Sequence, residues 1–146
     1  MFPVPTSLSP SRVEAFTSCP MAFRFASIER LPEPPSPHAT KGSLVHRALE
    51  LLFTQPAEAR TVAAAEPAFH QAVTEYQADP EFTLLGLSAA EADTFVADAW
   101  ALVLKYFDME DPRTVRDIGL ELRLEAQVGS LTLRGIIDRL ELDADG

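Results

Sequence analysis

The stretch Gly135-Ile136-Ile137-Asp138-Arg139-Leu140 places a single acidic residue inside an otherwise apolar segment. Apolar residues fall on both faces of residues 131–142, which predicts a strand in the centre of a sheet, because such a strand is covered on both sides. A carboxylate at that position is costly unless its charge is compensated. Asp138 is therefore the first candidate for a functional residue.

The segment before this strand predicts the other half of a β-hairpin. Apolar and polar residues alternate from Ile118 to Val128, which is typical of a strand with one buried face. The dipeptide Gly129-Ser130 then fits a two-residue turn, since glycine can take the positive φ that a tight hairpin needs. The residues after Leu142 again favour a turn, so we expect a further strand to follow.

The two-residue turn fixes which side chains face each other. It places Glu125 opposite Arg134, a favourable pair, and Glu121 opposite Asp138. Two facing carboxylates repel unless one is protonated or a cation lies between them, and a divalent metal would remove the repulsion. The alternative is that both carboxylates simply face solvent, and a register slip of one residue would move Glu121 to the other face.

The first 112 residues predict helices instead of strands. Ser9 and Pro10 are typical of a helix start, and proline-rich residues 32–37 favour an extended connector. The helical pattern ends at Asp111-Pro112. The predicted helices run from about Pro10 to Thr17, from Pro20 past Phe25, from Lys41 to about Phe53, from Thr61 to about Gln77, and from a Ser88 capping box through Phe107. The fold class is therefore α+β, with a mainly helical part (1–112) and a β-hairpin (113–146).

Composition limits the possible functions. With 146 residues, 47% of them hydrophobic, the chain is long enough for one cored domain, residues 1–146. The net charge of −10 argues against a generic nucleic-acid-binding surface. Residues 1–53, however, hold five basic against four acidic residues, so we expect any phosphate-facing surface there, lined by residues such as Arg12, Arg24, Lys41 and Arg47.

The N-terminus lacks the pattern of a signal peptide, and no apolar run is long enough to span a bilayer, so we expect a soluble, cytoplasmic protein without membrane contact. The single cysteine, Cys19, excludes an internal disulfide framework. We expect it to be a small buried residue.

The order of motifs resembles the RecB-like branch of the PD-(D/E)XK nuclease superfamily. The motifs that carry the resemblance are Leu8-Ser9-Pro10-Ser11 with Phe16, Cys19-Pro20 and Phe23, then Gly42-Ser43-Leu44-Val45-His46 on a helix, Glu121 on a strand, and Gly135-Ile136-Ile137-Asp138-Arg139. The resemblance implies a restriction-endonuclease-like core that this chain begins and does not complete.

The resemblance also implies a site and cofactors. His46 and Asp138 would be metal ligands, and Asp138 with the auxiliary acid Glu121 would be catalytic. Mg²⁺ or Mn²⁺ suits such ligands. In a longer protein, Cys19 would be one ligand of a 4Fe-4S cluster, which needs about four thiolates. The family's following acid-x-Lys motif is absent after Asp138.

The resemblance implies that the chain is part of a divalent-metal-dependent DNA exonuclease of repair or recombination. Such an exonuclease would act on DNA with a helicase subunit or a fused helicase domain. The chain by itself would be inactive. One alternative is a non-catalytic nuclease-like module that binds DNA ends or a helicase, and another is an acidic helical adaptor without a site. The unpaired strand edge of an incomplete sheet would also permit self-association.

Overall fold

The computed structural model describes residues 5–142 and confirms an α+β chain. The strands are β1 (Ser7–Leu8), β2 (Asp117–Val128) and β3 (Leu131–Glu141). The helices are α1 (Pro10–Ser18), α2 (Pro20–Phe23), α3 (Pro37–Phe53), α4 (Val62–Gln77), α5 (Pro80–Leu84) and α6 (Ala89–Met109), with a π-helix at Arg24–Glu29 and a 3₁₀ turn at Ala57–Ala59.

The described chain forms two compact units. The hairpin unit comprises residues 5–33 and 118–140, and the helical unit comprises residues 34–117 with 141 and 142. A single domain over residues 1–146 stays a prediction. No helix within residues 5–142 is long and apolar enough to cross a membrane.

The helical unit is built on α3, α4 and α6. These helices contribute small residues as well as large ones to the contact, and small side chains allow helix axes to approach closely. The buried set is Leu44, Ala48, Leu52, Ala65, Phe69, Ala72, Phe95, Ala99 and Val103. The helical spacing of these residues is the reason the sequence predicts these three helices.

Side-chain caps fix where these helices begin. The Ser88 hydroxyl accepts the Glu91 amide hydrogen and the Glu91 carboxylate accepts the Ser88 amide hydrogen, so the predicted capping box is confirmed. The Ser88 hydroxyl and the Ser88 amide both donate hydrogen bonds to the Glu91 carboxylate, which lowers the pKa of Glu91. The predicted start of α3 at Lys41 is four residues late, because Ser36 caps the helix and Pro37 occupies its first position.

Arg60 is the one charged residue buried in the described chain, at 5% exposure. Its guanidinium donates hydrogen bonds to the backbone carbonyls of Phe53, Gln55 and Val115 and forms an ion pair with Asp117, with 2.6 Å between Nη1 and Oδ1. It also lies 4.6 Å from the centre of the Phe53 ring. The guanidinium therefore has hydrogen-bond acceptors, a counter-ion and an aromatic ring around it. It links the end of α3 to Asp117, the residue at which β2 begins.

The sheet of the hairpin unit has the order β1-β3-β2, so the predicted central position of β3 is confirmed. β1 runs parallel to β3, with Ser7 beside Thr132 and Leu8 beside Leu133. The sequence gives no signal for β1, because two residues are too short to show an alternating pattern.

The predicted burial of one face of β2 is wrong toward the hairpin turn. Leu124 is 52% exposed and Val128 is 56% exposed. Within the hairpin unit, α1 faces this part of the sheet across an open groove of about 670 Å³ whose walls include Val13 and Leu133. An alternating pattern marks which side chains share a face but not what covers that face.

Replacing Arg60 with methionine should destabilise the helical unit strongly. The change leaves the Asp117 carboxylate and three carbonyls without their donor, and breaking a buried ion pair costs about 3–5 kcal/mol. Urea unfolding followed by circular dichroism would measure the loss. The matched control is Arg113→Met, because Arg113 pairs only with exposed Asp111 two residues away. Equal stability of the two variants would contradict the anchoring role of Arg60.

Candidate metal site

The hairpin pairing near the turn follows the predicted register. Arg134 Nε lies 2.7 Å from Glu125 Oε1, and the Gln127 side-chain amide donates to the Thr132 hydroxyl at 2.9 Å. Gly129 takes a φ of 62°, as the turn prediction requires. The cross-strand partners in this half of the hairpin are therefore those that the two-residue turn implies.

The predicted regular register does not extend along the whole hairpin. Leu142 would face Asp117 if the pairing near the turn continued, yet its amide hydrogen bonds to the carbonyl of Arg116 at 3.0 Å between N and O. Glu121, which lies between the two ends of β2, has a φ of 50°. The strand is irregular at the residue that the sequence singles out.

Glu121 and Asp138 lie side by side on the hairpin. Each offers a carboxylate oxygen within 4.8 Å of an oxygen of the other. Glu121 is half-buried and Asp138 is exposed. An octahedral Mg²⁺ holds its oxygen ligands at about 2.1 Å, so two ligands of one ion lie up to about 4.2 Å apart. The separation of the two oxygens is therefore close to that range.

The chemistry of this pair suits a hard divalent cation. Carboxylate oxygens are the ligands that Mg²⁺ and Mn²⁺ prefer, and a cation between two carboxylates removes their mutual repulsion. A thiolate-rich site would select other metals, and the described hairpin unit has one cysteine, Cys19, on a different element.

His46 lies on α3 of the helical unit. Its neighbours Leu44 and Ala48 point into the core, whereas the His46 side chain is exposed. The helix therefore presents the imidazole at its surface instead of using it as a core residue. Its role as a metal ligand stays a prediction.

The expected burial of Cys19 is wrong. Cys19 is exposed at the junction of α1 and α2, where its backbone leaves the helical conformation with a φ of −154°. Proline at position 20 explains the break, because the residue before proline is disfavoured in the helical region. The Cys19 thiol therefore does not fill a space in the hydrophobic core.

Most of the basic residues expected to line a DNA path are engaged by acidic neighbours. Lys41 pairs with Asp98 at 2.8 Å and Arg24 pairs with Glu29 at 2.5 Å. Arg47 donates to both Glu50 and Glu75, which raises the pKa of the guanidinium, and its hydrogen bond lowers the pKa of Glu75. These pairings stabilise the fold and compete with any phosphate contact.

Charge is divided unevenly between the two units. Over its described residues, the hairpin unit holds six basic and six acidic residues, whereas the helical unit holds six basic and fourteen acidic residues. A polyanion is repelled by a strongly acidic surface. The neutral hairpin unit is the more suitable of the two for contact with DNA.

The family model of the PD-(D/E)XK nuclease superfamily matches residues 7–146, and the chain belongs to this superfamily. No curated protein and no solved structure matches the chain significantly. The superfamily implies a nuclease that contacts DNA and uses a divalent metal. The hairpin with its two carboxylates lies within the matched residues.

Two structural features, one in each unit, cannot be predicted from the sequence. Arg60 looks like an ordinary surface arginine on a short loop, and no local pattern marks it as buried. The positive φ of Glu121 is likewise unmarked, although Gly119 two residues earlier is the type of residue that accompanies an irregular strand.

Removing the Arg47 guanidinium should reduce stability at neutral pH and leave it unchanged in acid. The pKa of Glu75 is lowered in the folded chain, so its contribution is present above the unfolded value and is lost as pH falls through the folded value. Wild type should exceed Arg47→Met by about 0.5 kcal/mol at pH 7, because the pair is partly exposed and screened.

Urea unfolding at pH 7 and at pH 3 measures this difference. Lys105→Met is the control, since Lys105 makes no ion pair within the described chain. A stability gap that is as large at pH 3 as at pH 7 would show that Arg47 acts through packing instead of charge.

Proposed function

We propose that this chain is part of a Mg²⁺- or Mn²⁺-dependent DNA exonuclease that acts in DNA repair or recombination. The observation that carries the proposal is the pair of carboxylates, Glu121 and Asp138, side by side on a hairpin that matches a nuclease superfamily. Repair or recombination, and a helicase as partner, are supported by the order of the Gly-x-x-x-His and Gly-x-x-Asp-Arg motifs.

The proposed metal ligands are Asp138 and His46, with Glu121 as an auxiliary acid. Asp138 and Glu121 supply hard oxygen atoms from adjacent strands, and His46 supplies a nitrogen from a helix surface. When bound, a divalent cation neutralises charge on the scissile phosphate and lowers the pKa of a water molecule. The protein's part is to hold these donors in place.

The residues around Asp138 limit what the chain can do by itself. Its two lysines, Lys41 and Lys105, both belong to the helical unit. The family's acid-x-Lys motif, which completes the metal site and contacts water or phosphate, has no counterpart after Asp138 in residues 1–146. We propose that these residues bind the metal weakly and cleave DNA little.

Mn²⁺ should raise the unfolding temperature of wild type, and Asp138→Ala, Glu121→Gln or His46→Ala should reduce or remove that rise. Each substitution deletes a proposed ligand, and loss of a ligand weakens the stabilisation that comes from binding the folded state. Differential scanning fluorimetry over a range of Mn²⁺ concentrations measures the shift.

Matched controls lie on the same elements or on a neighbouring helix. Glu125→Gln removes a carboxylate that lies on the same strand as Glu121 but pairs with Arg134. His70→Ala removes an exposed imidazole from α4. Both controls should keep the Mn²⁺ shift of wild type. A shift that survives Asp138→Ala would place the metal elsewhere.

Purified residues 1–146 should release little or no product from linear DNA in Mg²⁺ or Mn²⁺. The reason is that these residues do not include the acid-x-Lys motif of the family. Release of acid-soluble nucleotides from end-labelled duplex and single-stranded DNA measures the activity. Robust Mn²⁺-dependent cleavage that Asp138→Ala abolishes would contradict this expectation while supporting the metal site.

A non-catalytic module that binds DNA ends or a helicase is the second candidate. The two candidates differ in their response to metal. The nuclease predicts tighter DNA binding in Mn²⁺ that depends on Asp138, whereas the module predicts DNA or helicase binding that Asp138→Ala leaves unchanged. An iron-sulfur cluster at Cys19 would require further thiolates as ligands. Self-association through a strand edge would require a second copy of the chain.

A further inference from the structure

Strand β2 contains one more residue than its partner β3 over the same length. Near the turn, Gln127 contacts Thr132 and Glu125 contacts Arg134. At the far end, the Leu142 amide reaches Arg116, one residue earlier than that pairing predicts. An extra residue in one strand of an antiparallel pair is a β-bulge.

Two further observations place the bulge at Glu121. Among non-glycine residues of the described strands, Glu121 alone has a positive φ, at 50°. A Cβ added to Gly119 would lie only 2.6–2.8 Å from three side-chain carbons of Leu122. Residues three apart in a regular strand point to opposite faces, so Leu122 covers Gly119 only because the alternation breaks between them.

Glutamate is an unfavourable residue for this conformation. Glycine, asparagine and aspartate account for most residues with positive φ, and a glycine is the usual first residue of a bulge of this kind. The chain instead has an acid there, whose carboxylate lies within 4.8 Å of that of Asp138. Backbone conformations of this kind concentrate at functional sites, where a bulge changes the direction of a side chain.

We propose that Gly119 and Leu122 are positioning residues that lock the bulge and so hold the Glu121 carboxylate beside Asp138. Gly119 leaves the space that the Leu122 side chain fills, and Leu122 in that space keeps the strand from returning to a regular alternation. Any side chain at position 119 displaces Leu122 and releases Glu121 from its position. The inference rests on the proposed metal site and adds to it two residues that do not contact the metal.

The test compares wild type with Gly119→Ala, Leu122→Ala and the double variant, using Mn²⁺ affinity from isothermal titration calorimetry. Gly119→Ala should weaken Mn²⁺ binding about 10- to 100-fold, the usual effect of losing a residue that orients a ligand. Leu122→Ala should also weaken binding, and the double variant should bind like Leu122→Ala without a further loss, because the shorter side chain makes room for the new methyl group. If Gly119→Ala only destabilises the fold, its folded form should keep the Mn²⁺ affinity of wild type.

Thermal unfolding of Gly135→Ala controls for the general cost of replacing a glycine in this hairpin. A Cβ at Gly135 would meet only Pro10, at 3.9 Å, so the fold should accept it. If Gly119→Ala does not fold, the double variant decides, since it should fold and bind Mn²⁺ as Leu122→Ala does. Wild-type affinity in Gly119→Ala or in Leu122→Ala, or a loss in the double variant as large as the two single losses multiplied, overturns the proposal.

Crystal structures of wild type and Gly119→Ala without metal separate this proposal from the proposed function. A displaced Glu121 carboxylate in Gly119→Ala supports the positioning role even if wild type binds no Mn²⁺, a result that would overturn the metal site alone. A Glu121 with unchanged φ and an unchanged distance to Asp138 overturns the positioning role whatever the affinity.

Discussion

The buried guanidinium of Arg60 is the interaction on which the helical unit depends. It satisfies two carbonyls at the end of α3 and a third at Val115, and its charge is balanced by Asp117. A buried charge is tolerated only when it is paired and fully hydrogen-bonded. Because Asp117 is also the first residue of β2, the interaction that completes the helical unit fixes the residue at which the strand bearing Glu121 begins.

The carboxylate pair combines two unfavourable local features in this chain. Glu121 adopts a backbone conformation that suits glycine better, and it faces a second carboxylate. Local propensity and cross-strand electrostatics both oppose this arrangement. Most residues of this sequence agree with the local preferences of the fold. A residue that opposes two of these preferences is therefore a candidate for a functional role.

The excess of acidic residues lies in the helical unit and affects which unit is suited to contact DNA. Lys41 and Arg47 use their charge on Asp98, Glu50 and Glu75, so they reinforce the helical unit instead of offsetting its acidity. The fourteen acidic residues of that unit repel phosphate, whereas the hairpin unit is neutral. A metal bound at the carboxylates would make the hairpin unit the more positive of the two.

The sequence by itself determined the features that depend on neighbouring residues. Ser88 with Glu91 marks a helix start, Gly129 marks the hairpin turn, and the turn alone is enough to place Glu121 near Asp138. Tertiary structure decided the features that depend on distant residues. The partners of Arg60 and the exposure of Cys19 and of Leu124 follow from which parts of the chain meet. Capping and turn preferences act over three or four residues, whereas burial is set by contacts between residues far apart in the chain.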